Sequence, residues 1–382
     1  MRKKEATFAA IAIVAFVISC RDAAAPGPVR TAAAAAPATA KANTFGAAVD
    51  SLFSDAEKHD RFSGSVVVID GGREVLAKGY GFADRKVGRR NDADTVFRIG
   101  SVSKQFAATA ILTLVRDGKI ALTDPVSKFF PEYPKENLTM DGALVTLHHL
   151  ISHTSGLPNP RSTSAFEAIV WKRPIAPTEQ IGFAKATPLA SRPGSKYQYV
   201  NFNFLLAALV VERVSGQPYE AFLKKRFFEP LDMKDTGTVL PPSLQPRSAL
   251  GYHDDGGELV TMMDDAAFKD RDVTFAFGSG QIHSTVHDLA RWDRALVGEA
   301  VLPAAQRDLL FKRNLDDYGY GWVVNEKDGV TYAWHNGAIS PLGFSTLIVR
   351  VPSKDRFVAY ASNFDMDLTS GFESQVFALA VK

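Results

Sequence analysis

The 382-residue chain contains a single cysteine, Cys20, so an intramolecular disulfide is excluded. Its charge is nearly balanced, with 44 Lys and Arg residues against 42 Asp and Glu residues. The chain therefore lacks the basic surplus that is typical of nucleic-acid binding proteins. Only one long apolar run is present, near the amino terminus. We therefore expect no nucleic-acid partner, no later membrane span, and a fold whose stability comes from a hydrophobic core.

The first 20 residues have the pattern of an export signal. Three basic residues, Arg2-Lys3-Lys4, precede an apolar run from Phe8 to Ile18 that is too short to span a bilayer. The segment Val17-Ile18-Ser19-Cys20 resembles a bacterial lipobox, in which the cysteine thiol is acylated and becomes the new amino terminus. Ordinary cleavage in the Ala-rich stretch that follows is the alternative.

Residues 21–43 are dominated by Ala, Pro and Thr without an amphipathic period, which predicts a disordered tether. The folded domain is then expected over residues 44–382. We expect an exported lipoprotein that contacts a membrane only through lipid on Cys20. Its folded domain would lie in the periplasm or outside the cell.

The pattern of apolar residues predicts an α+β fold. Two β-rich runs, 65–69 and 74–77, flank Asp70-Gly71-Gly72 and predict a hairpin. Further strands are predicted at 321–324, 343–351 and 357–361, and helices at 101–117, 203–214, 220–228, 285–296 and 372–381. In the fourth helix, Thr285 and Asp288 have the spacing of a capping box.

Strands at both chain ends with helices between them predict one antiparallel sheet built from both termini, with flanking helices and an inserted lobe that is mostly helical. The sheet lobe would cover about 44–120 and 315–382, and the helical lobe about 121–314.

Three short motifs each occur once in the chain: Ser101-Val102-Ser103-Lys104, Tyr199-Val200-Asn201 and His335-Asn336-Gly337. Ser101 starts a predicted helix and Lys104 follows one turn later, so both side chains share a face. A serine hydroxyl needs a proton acceptor, and Lys104 can serve only if burial or a nearby charge lowers its pKa. The apolar helix favours burial. The ordinary alternative is a helix cap and a surface lysine.

The other two motifs add groups suited to acyl transfer. Tyr199, held between two ammonium-like groups, could ionise or relay a proton, and Asn201 offers an amide for a substrate carbonyl. Gly337 would let a substrate backbone approach closely. Taken alone, Tyr199 would be a loop aromatic and His335 a histidine on an edge strand.

Motifs for other chemistries are missing or incomplete. The pairs His149/His153 and His283/His287 have a zinc-like spacing, but neither is followed by a third ligand at a familiar distance, and His-Glu-x-x-His is absent. A Gly-x-Ser-x-Gly elbow is also absent, which argues against an α/β-hydrolase. We therefore expect neither a metal nor a cofactor.

In this order the motifs resemble those of the serine β-lactamase and penicillin-binding-protein superfamily. Within that superfamily they resemble the branch of class C β-lactamases, serine DD-peptidases and family VIII-type esterases. The resemblance runs from about Phe62 to Phe377. It includes the segments 97–106, 150–158 (Leu-Ile-Ser-His-Thr-Ser-Gly-Leu-Pro), 199–206, Gly278-Ser279-Gly280, Ser284-Thr285 and 288–292.

The resemblance implies a role for each matched residue. Ser101 would be the acylated nucleophile, Lys104 its proton partner and Tyr199 the base for acylation or the activator of the deacylating water. Asn201, His335 and Gly337 would bind substrate. The backbone N–H groups of Ser101 and Ala338 would form the oxyanion hole.

His335 departs from the Lys-Thr-Gly of class C β-lactamases, where a permanent cation holds the drug's carboxylate. A histidine is mostly neutral at pH 7, so carboxylate binding would be weaker.

The resulting hypothesis is an exported serine hydrolase acting on acyl-D-amino-acid peptides, including cell-wall peptide, or on similar small amides and esters, with β-lactams as covalent ligands. A carboxylesterase for short acyl esters, a β-lactamase and a non-catalytic penicillin-binding sensor are the alternatives.

Overall fold

The computed structural model describes residues 43–170, 173–261, 273–340, 342–365 and 371–382. Ala42–Lys382 form one compact unit. The predicted signal with Cys20 and the tether up to residue 42 lie outside the described residues. Asn43, predicted as the end of the tether, instead caps the first helix, because its Oδ1 accepts the Gly46 N–H at 2.7 Å.

The central sheet has six strands, and every neighbouring pair is antiparallel. Numbered in chain order, they are β1 Gly64–Asp70, β2 Arg73–Tyr80, β3 Val323–Lys327, β4 Val330–Ile339, β5 Phe344–Val351 and β6 Arg356–Ser362. Their spatial order is β3-β4-β5-β6-β1-β2. Since β1 lies between β2 and β6, with Gly64 opposite Ser362, the sheet joins both parts of the chain as predicted.

Ten helices lie in the described part of the chain. They are α1 Thr44–Lys58, α2 Lys104–Arg116, α3 Leu147–Ile151, α4 Ser164–Val170, α5 Pro177–Ala184, α6 Asn201–Ser215, α7 Tyr219–Leu223, α8 Val286–Val297, α9 Ala304–Leu310 and α10 Phe372–Val381. Within these residues, no helix combines the length and apolarity that crossing a membrane requires.

Both faces of the sheet are covered. In β1, Val66 and Val68 join a core with residues of α1 and α10, whereas Val67 and Ile69 join a larger core with residues of α2, α6 and α8. Side chains alternate between faces along a strand, so a strand covered on both sides is apolar throughout. This explains the unbroken apolar run that predicted the strand.

Helix α2 is the centre of the larger core. Every residue from Lys104 to Leu114 is buried, as the all-round apolar pattern predicts. It begins three residues later than predicted, because Gly100–Ser103 form a 3₁₀ turn. The helix ends at Arg116, with Asp117 as its C-cap, and Gly118 follows with φ +69°.

A two-stranded ribbon fixes the turn that carries Ser101. Phe97–Arg98 pair with His283–Ser284, and the Ile99 N–H donates to the Ile282 carbonyl at 3.0 Å. The Ile282 N–H donates in turn to Ser103 Oγ at 3.1 Å. Ser101 is therefore held between this ribbon and α2.

Two local predictions are wrong in detail. Thr285 Oγ1 accepts the Asp288 N–H at 3.1 Å, but the Asp288 carboxylate accepts from the Asp235 N–H and the Thr236 hydroxyl, so only half of the predicted capping box forms. The helix predicted over 220–228 is α7 followed by a π-helical turn at Lys224–Phe228.

Candidate active site

Strand β4 lies directly against the turn of Ser101. A Cβ on Gly337 would be 2.1 Å from the Ile99 carbonyl oxygen and 3.0 Å from the Ser101 nitrogen. A Cβ on Gly100 would be 2.6 Å from the Ala338 nitrogen, and Gly100 also has φ +52°. Glycine at both positions therefore lets the two backbones meet, as expected where backbone segments approach closely.

His335 lies on this interior strand rather than on an edge strand, because β4 pairs with both β3 and β5. The pairing with β3 ends at Trp334, which lies opposite Val323. The following segment, His335 to Ile339, faces the turn of Ser101 instead.

Lys104 contacts Ser101 as the spacing predicts. Its Nζ lies 2.9 Å from Ser101 Oγ, 2.8 Å from Asn201 Oδ1 and 2.8 Å from the Ser279 carbonyl. The side chain is fully buried. Burial lowers the pKa of Lys104 well below its ordinary value, and the positive charge of Arg161 lowers it further.

These contacts suit a neutral amine. A neutral Lys104 retains two N–H donors, which Asn201 Oδ1 and the Ser279 carbonyl can accept. Its lone pair then faces the Ser101 hydroxyl. Lys104 is thus in position to take the proton of Ser101.

Tyr199 lies beside Lys104, whose Nζ is 4.7 Å from the centre of the Tyr199 ring. Although 39% of the residue is exposed, desolvation around its hydroxyl raises the pKa of Tyr199, and the nearby Ser101 side chain only partly opposes this. An ionised phenolate is therefore disfavoured. Of the two roles considered for Tyr199, ionisation and proton relay, the relay remains.

His335 is buried, with 2% of its surface exposed. Nδ1 lies 2.5 Å from the Asn336 carbonyl, so it carries the proton, and Nε2 then accepts from the Tyr318 hydroxyl at 3.0 Å. Burial lowers the pKa of His335 to about 3. The imidazole is neutral over the whole physiological pH range.

A small cavity of about 60 Å³ opens beside the nucleophile. Its lining includes Ser101, Asn201 and Ala338, together with Ser279 and Arg161. Ser101 and Ala338, the two residues predicted to supply the N–H groups of the oxyanion hole, both belong to this lining. Their role stays a prediction.

Three contributors to the site were not singled out from the sequence: Arg161, Ser279 and Tyr318. Ser279 lies in Gly278-Ser279-Gly280, which the resemblance includes without a role. Arg161 follows the matched segment 150–158, and its Nη2 donates to the Phe275 carbonyl at 2.8 Å. Tyr318 belongs to no motif, so its contact with His335 could be found only from the fold.

The histidine pairs have other contacts. His149 Nδ1 is 3.1 Å from Thr146 Oγ1, and His287 Nδ1 is 2.7 Å from Asp94 Oδ1. His153 packs against Tyr199, with ring centroids 4.4 Å apart. The described part of the chain contains no cluster of three or more His, Cys, Asp or Glu side chains that could hold a metal ion.

The family pattern described as Beta-lactamase matches residues 44–374. The chain belongs to the beta-lactamase family. The esterase EstB of Burkholderia gladioli is 36% identical over 233 residues, which cover 58% of this chain and 58% of that esterase. Penicillin-binding protein 4* of Bacillus subtilis is 28% identical over 327 residues, which cover 81% of this chain and 70% of that protein.

Solved structures are similar to this beta-lactamase family protein over most of its length. The octameric penicillin-binding protein homologue from Pyrococcus abyssi has a TM-score of 0.73 and 25% identity, covering 87% of this chain and 77% of that chain. A D-stereospecific amidohydrolase from Streptomyces sp. has a TM-score of 0.72 and 25% identity, covering 87% and 98%.

These similarities confirm the predicted family and the α+β fold. The aligned region is less than two thirds of several curated relatives, including 58% of EstB.

Proposed function

We propose that the protein hydrolyses small acyl esters and neutral amides through an acyl-enzyme on Ser101. The observation that carries this proposal is Lys104 Nζ, fully buried and 2.9 Å from Ser101 Oγ. Its lowered pKa favours the unprotonated amine that a serine nucleophile needs.

In the first half of the reaction, Ser101 Oγ attacks the acyl carbon while its proton passes to Lys104 Nζ. The N–H groups of Ser101 and Ala338 stabilise the oxyanion that forms. As the bond to the leaving group breaks, that group takes the proton, relayed from Lys104 by the Tyr199 phenol. Water then attacks the acyl-Ser101 ester and loses a proton to the same pair, which passes it to Ser101 Oγ as the ester bond breaks and the acid leaves.

The neutral state of His335 supports leaving groups without a negative charge. Its Nε2 already accepts from Tyr318, so the position offers no cation to a free carboxylate. We therefore rank esters and uncharged amides above acyl-D-amino-acid peptides as substrates, because those peptides end in a carboxylate.

Acyl-D-amino-acid peptides are the second candidate, because the guanidinium of Arg161 lines the same cavity as Ser101 and Asn201. The relatives named as a penicillin-binding protein and as a D-stereospecific amidohydrolase support this candidate and covalent penicillin binding.

The first experiment identifies the nucleophile. The full-length protein is incubated with penicillin G and separately with a fluorophosphonate, and intact mass is measured. We expect a stoichiometric mass increase with at least one reagent, and no increase in Ser101→Ala. A wild-type protein that forms no adduct with either reagent, and turns over no ester, refutes the proposal.

A substrate panel then separates the candidates. We compare kcat/KM for p-nitrophenyl esters of short acids, neutral D-amino-acid amides, D-Ala-D-Ala peptides and nitrocefin. The proposal expects the first two classes to exceed the peptides by about tenfold or more, since one missing charged contact is worth that much. A preference for D-Ala-D-Ala peptides would favour the second candidate, and rapid nitrocefin turnover would favour a β-lactamase.

A further inference from the structure

His153 is a buried histidine with no role in the reaction scheme above. None of its surface is exposed, and its ring packs 4.4 Å from the Tyr199 ring. Tyr318 and Phe204 pack against it as well, with ring centroids 4.9 Å and 5.0 Å away. His153 therefore forms one wall of the space in which the Tyr199 ring lies.

The backbone on both sides of Tyr199 is bonded to His153. The Gln198 N–H donates to the His153 carbonyl at 2.8 Å, and the Val200 N–H donates to His153 Nδ1 at 3.3 Å. His153 thus binds the backbone of the residues before and after Tyr199 and also packs against the face of the Tyr199 ring.

The state of the imidazole is fixed by the same contacts. Nδ1 faces the Val200 N–H and also Asn203 Nδ2, at 3.2 Å, so it must offer a lone pair. Asn203 is oriented by Ser155, whose hydroxyl donates to Asn203 Oδ1 at 2.7 Å. Burial lowers the pKa of His153 well below its ordinary value, so the ring stays neutral.

The backbone of His153 is strained. Its φ is +58°, in the left-handed region that is uncommon for residues other than glycine. A strained residue persists where the surrounding structure determines its conformation, and such positions cluster at functional sites. Here the strained conformation brings the His153 carbonyl and Nδ1 to the two N–H groups around Tyr199.

We propose that His153 is a positioning residue for Tyr199: its imidazole and its carbonyl together hold the phenol beside Lys104 at the Ser101 site. The inference rests on the proposed function, in which that phenol relays a proton. An ordinary core histidine would affect stability alone. A positioning residue also affects the rate of each correctly folded molecule, and only through Tyr199.

The test compares three variants of the full-length protein, each normalised by the fraction that a fluorophosphonate labels. His153→Gln removes the ring and the acceptor at Nδ1. His153→Asn also removes the ring, but it tolerates a positive φ and places Oδ1 near the position of Nδ1. His148→Gln is the control: His148 lies in helix α3, shortly before His153 in the chain, and the substitution loses the hydrogen bond between Nδ1 and the Tyr320 hydroxyl, 2.7 Å.

We expect His153→Gln to lower kcat by about 10- to 100-fold with KM changed less than about threefold, since small misplacements of a reacting group cost this much. His153→Asn should recover part of the loss, and His148→Gln should stay within about threefold of wild type. Asparagine at this position is also expected to fold, so H153N carries the test if H153Q does not.

A double-mutant cycle with Tyr199→Phe shows whether His153 acts through the Tyr199 phenol. If His153 acts through the phenol, H153N should change kcat by less than about twofold in the Y199F background. An equal loss in both backgrounds, or a loss no greater than that of H148Q, overturns the positioning role while leaving the proposed function intact. A wild-type protein that neither labels nor turns over ester ends both.

Discussion

Lys104 has three hydrogen-bond partners, and all of them are neutral oxygens: a hydroxyl, a side-chain amide and a backbone carbonyl. None of them offers the negative charge that would compensate for removing an ammonium from water. Desolvation therefore dominates its protonation, and the positive charge of Arg161 acts in the same direction. This makes an amine, ordinarily protonated at neutral pH, suitable as a base.

Replacing this amine should remove the base without removing the nucleophile. Lys104→Met keeps a similar apolar length, and we expect Ser101 acylation by a fluorophosphonate to slow by about 10²- to 10⁴-fold. In wild type the rate should fall as pH drops through the pKa of Lys104, because the protonated amine cannot accept a proton. That acid limb should be absent in K104M.

The rate constant of labelling, measured across pH, checks this expectation. Lys128→Met is the matched control, since Lys128 is on the surface and pairs with Asp124. A labelling rate in K104M equal to that of K128M would contradict the role of Lys104.

The part of the site that lies within one motif could be predicted from the sequence. One helical turn joins Ser101 to Lys104, and that distance is local. The hydrogen bond from Tyr318 to His335 and the place of Arg161 depend on how distant loops pack. The raised pKa of Tyr199 depends on burial, which no local spacing fixes.

At the scale of elements, the site depends on strand β4 passing the 3₁₀ turn of Ser101 at van der Waals distance. Gly337 and Gly100 allow this approach, and both Ser101 and Ala338 contribute backbone N–H groups at the contact. The strand therefore supplies half of the expected oxyanion hole.

Gly337→Ala should separate these two backbones. Its Cβ would lie 2.1 Å from the Ile99 oxygen, so the strand or the turn must move. We expect a loss of about 1–3 kcal/mol in stability from overpacking, and a fall in kcat of about 10²-fold or more from the displaced N–H groups.

Urea unfolding and ester turnover measure the two effects. Gly182→Ala in helix α5 is the control: no atom lies within 4 Å of its added Cβ, and alanine favours a helix by about 0.5–1 kcal/mol. Full activity in G337A would show that the close approach is not needed.

Whether a segment forms a helix or a strand could be predicted where its apolar residues keep one period without interruption. The hairpin of β1 and β2, the buried helix α2 and the closing helix α10 follow from such patterns. The Thr285 cap of α8 was also predictable, but the second half of its capping box was not, because the Asp288 carboxylate accepts hydrogen bonds from Asp235 and Thr236, more than 50 positions away. Tertiary contacts replaced the local bond.

At the scale of the whole molecule, buried histidines make the fold sensitive to acid. His283 and His335 are each 2% exposed, and burial lowers the pKa of both to about 3, from 6.5. Between these values the unfolded chain binds more protons than the folded one. The free energy of unfolding therefore falls as pH falls, by about 1.4 kcal/mol per pH unit for each histidine.

Urea unfolding between about pH 7 and pH 5, above the range in which most carboxylates titrate, measures this slope. His283→Gln should reduce the slope of unfolding free energy with pH by the contribution of one histidine. A wild-type stability that stays constant over this interval would show that these histidines are not buried neutral in the folded protein.

Export and anchoring at Cys20, which lies outside the described residues, are proposals that rest on the lipobox-like segment. In a bacterial host we expect the wild-type protein in the membrane fraction and Cys20→Ala in the soluble fraction, because no acyl chain can then be attached. Cys20→Ser gives the nearest matched control for size. A C20A protein that remains in the membrane fraction would contradict anchoring by lipid.

The pairing of β1 with β6 has a consequence for biogenesis. Residues 64–70 are made early, but their neighbour at 356–362 leaves the ribosome almost 300 residues later, and the strand that carries Ala338 more than 260 residues later. A nascent chain therefore holds Ser101 and Lys104 long before the strand that lies against them exists. Under the proposed function, the enzyme stays latent until synthesis is nearly finished, and its chemistry is withheld during translation.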